Sequence, residues 1–250
     1  MRRTLQSKRF LITGANSSVG RALASLAATQ GVRLALVDEE ARSLEQLAGE
    51  LAGRCEVVPI AANITSESDR SRILETAVDQ LGGLDGLIHV GGIAPFGRFA
   101  QTREDSLRRV MEVNFFAPAE LIRLAVPVLT QGQQPVLVNL ASLAGRRGLP
   151  GWSEVAASEF ALVGLTEALR GEMVRFGIDV LLLITARQPQ PDAQQVAAAL
   201  LNAIRHNRRE TVLGWQARWL LLRNRWLPGW VDRLMIRQAK AIPASAPVHG

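Results

Sequence analysis

The sequence predicts an α/β protein of one domain, in which a doubly wound parallel sheet lies between two layers of helices and is followed by an amphipathic helical tail. Short, nearly continuous apolar runs alternate with amphipathic stretches up to residue 206, as strands and helices do in this fold class. A glycine-containing turn joins the first apolar run to the first amphipathic stretch. The length of 250 residues and the hydrophobic content of 48% suit one domain with a substantial core.

Six apolar runs have the length and composition of strands that are covered on both faces. They are residues 9–13, 33–37, 55–60, 84–90, 135–140 and 178–184. Helical patterns occupy about residues 18–30, 40–52, 66–82, 103–131, 152–176 and 192–206. This order predicts successive βαβ units with right-handed crossovers and three layers, α/β/α. We expect residues 1–206 to form the domain and residues 207–250 to form a basic tail.

Composition argues against several classes of protein. Cys55 is the only cysteine and the three histidines are scattered, so we expect no internal disulfide and no metal site. No signal peptide is evident, and no apolar run approaches the roughly 20 residues that span a bilayer. The sequence therefore predicts a cytoplasmic protein.

The turn after the first strand contains a candidate dinucleotide-binding element. Residues 13–20 read TGANSSVG, which resembles the TGxxxGxG element of short-chain dehydrogenases, with Ser18 in place of the middle glycine. Glycines let the backbone approach a pyrophosphate, and the start of a helix supplies N–H groups. Glycine alone is weak evidence, because any tight strand–helix turn can use it. The position of this turn between the first strand and an amphipathic helix strengthens its interpretation as a dinucleotide-binding element. The candidate contacts here are Gly14, Ser17, Ser18, Val19 and Gly20.

Further candidate cofactor contacts follow from this resemblance. Asp38 ends the second strand, where a carboxylate accepts hydrogen bonds from ribose hydroxyls and favours NAD over NADP; an exposed acidic turn at a helix start is the alternative. Residues 63–65 occupy the positions of the family's Asp-Val-Thr. Residues 89–92 occupy the positions of its Asn-Asn-Ala-Gly, and only the last glycine of that motif matches. The matching positions are Asn63, Ile64, Gly91 and Gly92. Together these departures predict that NAD binding is weak or lost.

The resemblance extends over residues 8–206 and implies a Rossmann-type fold, yet the family's catalytic pair is missing. Asn114 matches the asparagine that organises a proton-relay water, and Ser142 matches the serine that polarises the substrate carbonyl. Val155 and Glu159 occupy the positions of the family's tyrosine and lysine. Valine has no proton to give, and a carboxylate raises rather than lowers a neighbouring hydroxyl pKa. The whole chain contains no tyrosine, so we expect Asn114 and Ser142 to be vestigial.

Two further departures concern the substrate side of the expected cleft. Thr185 and Ala186 stand where the family has Pro-Gly, and the connector over residues 185–191 is too short for a substrate lid. A buried glutamate with a raised pKa could act as an acid instead. The simpler interpretation of Glu154 and Glu159 is solvated charge on a helix.

The tail concentrates the basic charge of the chain. Between residues 205 and 240 there are nine arginines and lysines against two carboxylates, while the whole chain has a net charge of +6. Four of the five tryptophans are here: Trp215, Trp219, Trp226 and Trp230. Tryptophan and arginine on an amphipathic helix favour a membrane surface or a protein partner. Packing of the tail across the domain's cleft and self-association are the alternatives. We expect no nucleic acid, because bulky apolar residues interrupt the basic ones.

Three functions are compatible with these observations. The missing catalytic pair favours a non-catalytic scaffold, binding or assembly subunit, associated with the inner face of a membrane through its tail. The nucleotide element alone favours a sensor that binds NAD without turnover. The third is an NAD(P)-dependent oxidoreductase with unusual acid chemistry. The resemblance also implies a homo-oligomer formed through the helices at 103–131 and 152–176, a surface that could equally bind another protein.

Overall fold

The computed structural model describes residues 3–186 and 191–240 of the chain. Its centre is a sheet of seven parallel strands in the order β3-β2-β1-β4-β5-β6-β7. The strands are β1 Arg9–Thr13, β2 Arg33–Asp38, β3 Val57–Ala61, β4 Gly86–His89, β5 Val136–Ser142, β6 Asp179–Thr185 and β7 Glu210–Val212. The order reverses between β1 and β4, as in a doubly wound sheet. The predicted fold class is therefore confirmed.

Nine α-helices accompany the strands in the described part of the chain. They are α1 Ser18–Ala28, α2 Ala41–Leu51, α3 Glu67–Leu81, α4 Glu104–Met111, α5 Ala117–Thr130, α6 Ser153–Glu172, α7 Ala193–His206, α8 Trp215–Trp226 and α9 Pro228–Lys240. Helices α1, α2 and α7 bury their apolar faces on one side of the sheet. Helices α3, α5 and α6 bury theirs on the other side. This gives the expected three layers.

The sheet continues beyond residue 206, the predicted end of the domain. Strand β7 pairs with β6 from Leu182 opposite Glu210 to Ile184 opposite Val212. Three residues, one of them a glutamate, do not give a recognisable strand pattern, because the neighbouring strand and not the apolar content holds β7 in place. The predicted short connector at 185–191 and the last ten residues of the predicted tail lie largely outside the described residues.

The predicted helix over residues 103–131 is interrupted by a π-helical turn at Glu112–Phe116. Pro118 follows this turn at the start of α5 and has no N–H to donate to the carbonyl of Asn114, four residues earlier. That missing bond favours the wider π spacing. Asn114 is the buried residue of the turn, so the interruption sets where its side chain points.

One helical stretch of the described chain, Glu104–Thr130, passes a length and hydropathy test for crossing a membrane. The sequence shows no uninterrupted apolar run of this length here, because Glu120 and Arg123 interrupt it. In the fold this stretch is α4 and α5 with the π turn between them. Leu121, Ala125 and Leu129 of α5 are buried in the core against the sheet. Length and composition alone are weak evidence for a membrane span, and this stretch contributes its apolar face to the core.

Candidate functional site

The carboxyl ends of the central strands open into a cleft of about 470 Å³. It lies at the reversal of strand order, the position where open α/β sheets bind ligands. The predicted site residues that line it are Ser17, Ser18, Val19, Gly91, Gly92, Asn114, Ser142 and Glu159. Gly14, Gly20, Asp38, Asn63, Ile64 and Val155 do not line it. The fold therefore brings together residues that are up to 142 positions apart in the sequence.

The glycine-containing turn is shaped by close backbone contacts. Gly14 has a φ of +68°, and a Cβ there would lie 1.7 Å from the carbonyl oxygen of Val90. Ser17 caps α1: its hydroxyl accepts from the N–H of Gly20 at 3.0 Å and donates to the carbonyl of Gly14 at 2.7 Å. Ser18, the first residue of α1, is exposed at the cleft. Where the related family has a glycine, Ser18 adds a side chain to the wall of the cleft.

Asp38 holds this turn against the end of β2. One carboxylate oxygen accepts from the backbone N–H of Asn16 at 2.9 Å, and the other accepts from the N–H of Glu39 at 2.9 Å. A carboxylate has about four lone-pair positions, so Asp38 retains the capacity to accept further hydrogen bonds. It stands next to the turn but outside the lining of the cleft.

The predicted contacts at Asn63 and Ile64 serve the local structure before α3. The side-chain oxygen of Asn63 accepts from the N–H and the hydroxyl of Thr65, at 2.8 and 2.7 Å. Ile64 packs against the core beneath α3 and α5. Both residues form a turn that shapes the edge of the sheet on the β3 side.

Asn114 fixes the segment after β4 to α6. Its Oδ1 accepts from the N–H of Ile93 at 2.9 Å, and its Nδ2 donates to the carbonyl of Ile93 at 2.9 Å and to Ser158 Oγ at 3.1 Å. A Cβ at Gly92 would lie 2.6 Å from Asn114 Oδ1, so glycine is required for this approach. The amide of Asn114 is therefore a structural clamp at the cleft wall.

Ser142 and Glu159 are joined by short hydrogen bonds at the wall of the cleft. The Ser142 hydroxyl donates to Glu159 Oε2 at 2.5 Å, and the Ser142 N–H donates to the same oxygen at 2.9 Å. Glu159 is only 9% exposed, and the interpretation of it as solvated helix charge is wrong. Residue 159 of α6 faces the end of β5, where Ser142 lies, so packing of this helix on the sheet buries the carboxylate.

The other positions on this part of α6 are buried as well. Val155, in the position of the family's tyrosine, is 0% exposed and does not reach the cleft. Glu154 is also buried, and Ser106 Oγ of α4 donates to it at 3.3 Å. The interpretation of Glu154 as solvated charge is therefore wrong too. It belongs to the contact between α4 and α6.

His89 lies in the sheet beneath the cleft and is not a proton carrier at neutral pH. Burial lowers the pKa of its imidazole to about 3. Its Nδ1 is 2.9 Å from Thr13 Oγ1. The neutral ring occupies the place of an asparagine in the family pattern.

Sequence reasoning missed the apolar wall of the cleft. Trp152 lines it and packs against Phe96, with ring centroids 4.9 Å apart. Ile93 and Leu162 complete this side. A local signal for this wall is Gly151, next to Trp152: its φ is +82°, and a Cβ there would lie 2.4 Å from the ring of Phe96, so a side chain does not fit. Among the described residues no tail residue lines the cleft, so the alternative in which the tail packs across it is wrong for residues 207–240.

Comparison with known proteins extends these observations. The sequence profile of a family described as short chain dehydrogenase matches residues 8–187. An uncharacterized oxidoreductase of Bacillus subtilis is 28% identical over 92% of this chain and 72% of its own length. An uncharacterized oxidoreductase of Thermotoga maritima is 32% identical over 70% of this chain and 69% of its own. The structure of a 3-ketoacyl-(acyl-carrier-protein) reductase from Brucella melitensis complexed with NADH has a TM-score of 0.78 at 22% identity, covering 84% of this chain and 97% of that one.

Proposed function

Because this chain belongs to the short-chain dehydrogenase family, we propose that it is an NAD-dependent oxidoreductase in which Ser142 and Glu159 move the proton. The observation that carries the proposal is the 2.5 Å hydrogen bond from Ser142 Oγ to Glu159 Oε2 at the wall of the cleft. Named relatives of the chain are oxidoreductases, which supports an enzyme of the same broad class. This pair stands where the family uses a serine together with tyrosine and lysine.

The residues around the cleft suit a dinucleotide. The first N–H groups of α1, at Ser18 and Val19, have no partner inside the helix and can hold a pyrophosphate. Gly91 and Gly92 leave that part of the wall without side chains. Asp38 adds a negative charge beside the turn, which favours NAD over NADP. When bound, NAD supplies the hydride acceptor.

The direction of the reaction follows from where the Ser142 hydroxyl points. Its one proton is directed at Glu159 Oε2, as is the Ser142 N–H. Towards a substrate, the Ser142 hydroxyl oxygen in this arrangement acts as an acceptor of a hydrogen bond and not as a donor. As hydride leaves the carbinol carbon, the alcohol O–H proton passes to Ser142 Oγ, and the Ser142 proton passes to Glu159. We therefore propose alcohol oxidation as the favoured direction.

The apolar wall indicates the substrate class. Ile93, Trp152 and Leu162 face the same cleft as Ser142. Apolar surface of this kind gains free energy by covering the carbon skeleton of a substrate, at roughly 25 cal/mol per Å² buried. A secondary alcohol with an apolar body fits this arrangement best.

A second candidate is a dinucleotide-binding scaffold without turnover. The complete burial of Val155 favours it, since the tyrosine position then offers no proton and no access to the cleft. This candidate agrees with the vestigial role expected for Asn114 and Ser142. It differs from the oxidoreductase in one measurable respect, which is product formation beyond one equivalent of protein.

The experiment follows NADH formation at 340 nm with the purified chain, NAD⁺ and a series of apolar secondary alcohols. We expect turnover that falls about 10²- to 10⁴-fold in Ser142→Ala and Glu159→Gln, the range typical of a lost general base. Glu154→Gln is the matched control, because it removes a buried carboxylate of the same helix outside the cleft. NADH binding without turnover in the parent chain would contradict the oxidoreductase and support the scaffold.

A further inference from the structure

The two tail helices are held on the domain by one side. Asp232 of α9 forms an ion pair with Arg147, which follows β5. Arg218 of α8 donates from Nε to the carbonyl of Val212 in β7 at 2.8 Å. Val231 and Met235 of α9 are buried. These contacts fix which faces of α8 and α9 turn outward.

The outward face of α8 is a stripe of tryptophan. Trp215, Trp219, Leu222 and Trp226 follow the i, i+4, i+7, i+11 spacing of one helix face. Trp215 is 70% exposed and Trp226 is 72% exposed. Large aromatic side chains seldom stand this far in water, and a contiguous apolar patch marks an interaction site.

Arginines flank this stripe on both sides. At 3.6 residues per turn, Arg218 and Arg225 lie roughly 60° and 80° around the helix axis from Trp215 in one direction. Arg223 lies about 80° from Trp215 in the other direction. The guanidinium of Arg223 stands 5.1 Å from the ring centroid of Trp230, which extends the patch onto α9. A groove of about 290 Å³ separates these two helices along the same surface.

The charge of this surface is strongly positive. Residues 215–240 contain six arginines and lysines and one carboxylate, Asp232, which is paired with Arg147. Exposed basic residues of α9, Arg233, Arg237 and Lys240, lie on the same side as Trp230. An apolar centre with a basic border complements a surface that is apolar inside and anionic outside.

We propose that α8 and α9 form a docking surface for an anionic phospholipid bilayer, on which the helices lie parallel to the membrane plane. Helix α8 has 12 residues and is about 18 Å long, too short to cross a hydrocarbon core of about 30 Å. Tryptophan rings sit at the level of the headgroups, and flanking arginines reach the lipid phosphates. The cleft then remains open to its ligands, since no described tail residue lines it.

The test is flotation of the full chain with vesicles of phosphatidylcholine, with and without phosphatidylglycerol. We expect binding only to the anionic vesicles, weakening as salt is added. Charge reversal in Arg225→Glu should weaken binding about 30-fold, since each basic residue near an anionic surface contributes about fivefold. Arg42→Glu, on the exposed face of α2, changes the charge equally and should weaken binding far less.

The aromatic contribution is tested separately. The double variant Trp219→Ala/Trp226→Ala should weaken binding at least about tenfold, because it removes apolar area that enters the interface. Val174→Ala, which trims an exposed apolar residue far from the tail in sequence, is the control and should bind like the parent chain. Circular dichroism checks that each variant is folded.

Several results would overturn the docking surface. They are equal binding to neutral and anionic vesicles, no binding to either, or binding that Arg225→Glu leaves unchanged. Light scattering without vesicles gives an independent check. If the parent chain self-associates and Trp219→Ala/Trp226→Ala abolishes that association, the surface is a contact between copies of this chain instead.

Discussion

At the scale of single residues, the position of Glu159 changes the interpretation of the site. The sequence places a glutamate where the related family has a lysine, and a glutamate on a helix is ordinarily solvated. In the structure its carboxylate receives both hydrogen bonds that Ser142 can donate. Glu159 also lines the cleft. In the oxidoreductase that we propose, the substitution exchanges one kind of proton chemistry for another and does not simply delete it.

Because His89 is buried, we predict that the folded protein loses stability in acid. The folded-state pKa of His89 is lowered to about 3, whereas an unfolded histidine titrates near 6.5. Between these values the unfolded chain binds the proton and the folded chain does not, so stability falls as pH falls. Each pH unit below about 6.5 should cost about 1.4 kcal/mol from this residue. We expect a loss of about 2 kcal/mol between pH 6.5 and 5, measured by urea unfolding.

The histidine contribution can be isolated by substitution. His89→Asn places at this position the residue type that the family uses, and it should flatten the acid limb of the stability curve. His206→Asn is the control, since His206 is exposed at the end of α7. An acid limb that is the same in His89→Asn and the parent chain would show that His89 is not the group responsible.

At the scale of elements, the start of α1 links stability to dinucleotide binding. The Ser17 hydroxyl donates a hydrogen bond to the carbonyl of Gly14 and accepts one from the N–H of Gly20. Such a cap contributes about 1 kcal/mol to a helix. Because the same turn presents the first N–H groups of α1 to the cleft, its geometry bears on phosphate binding as well.

We predict that Ser17→Ala lowers the free energy of unfolding by about 1 kcal/mol and weakens NADH binding measured by fluorescence titration. Ser17→Thr keeps the hydroxyl and should retain most of both properties. Ser66→Ala is the matched control. The Ser66 hydroxyl caps α3 by accepting from the N–H of Asp69 at 3.3 Å, and α3 does not line the cleft. It should lose similar stability without loss of NADH affinity; an equal loss in both alanine variants would refute a specific role for the α1 turn.

At the scale of the whole molecule, two groups of exposed aromatic side chains among the described residues are candidates for association. One is the tail, and the other is formed where the π turn and α6 meet, with Phe116 49% and Phe160 47% exposed. Exposed phenylalanines on neighbouring helices are typical of a subunit contact. We expect a homo-oligomer through this second surface, and a different protein partner bound to the same surface is the alternative.

Multi-angle light scattering after gel filtration tests this expectation. The parent chain should elute as a dimer or larger assembly, and Phe160→Asp should shift it to the monomer mass of 27.2 kDa. The charge is introduced into an apolar contact, where an unpaired carboxylate costs several kcal/mol. A change at Trp226→Ala, in the tail, should leave the mass unchanged. A monomeric parent chain would rule out the contact.

Much of the fold was predictable because local patterns agree with it. Apolar runs gave six of the seven strands, and amphipathic periodicity gave the helices of the domain. The exceptions were β7 and the π turn, whose formation depends on a neighbouring strand and on one proline. Of the site, the glycine turn was identified from its place between the first strand and the first helix, and Asn114 and Ser142 from their resemblance to motifs of short-chain dehydrogenases.

By itself, the amino-acid sequence determined the fold class, the absence of tyrosine and the concentration of arginine and tryptophan in the tail. Only the tertiary structure decided that Glu159 is buried against Ser142 and that Val155 does not line the cleft. It also decided that the described tail residues do not cover the cleft. The physical reason is that burial and hydrogen bonding of a side chain depend on which elements pack over it. Those neighbours are distant in sequence, and local pattern carries no information about them.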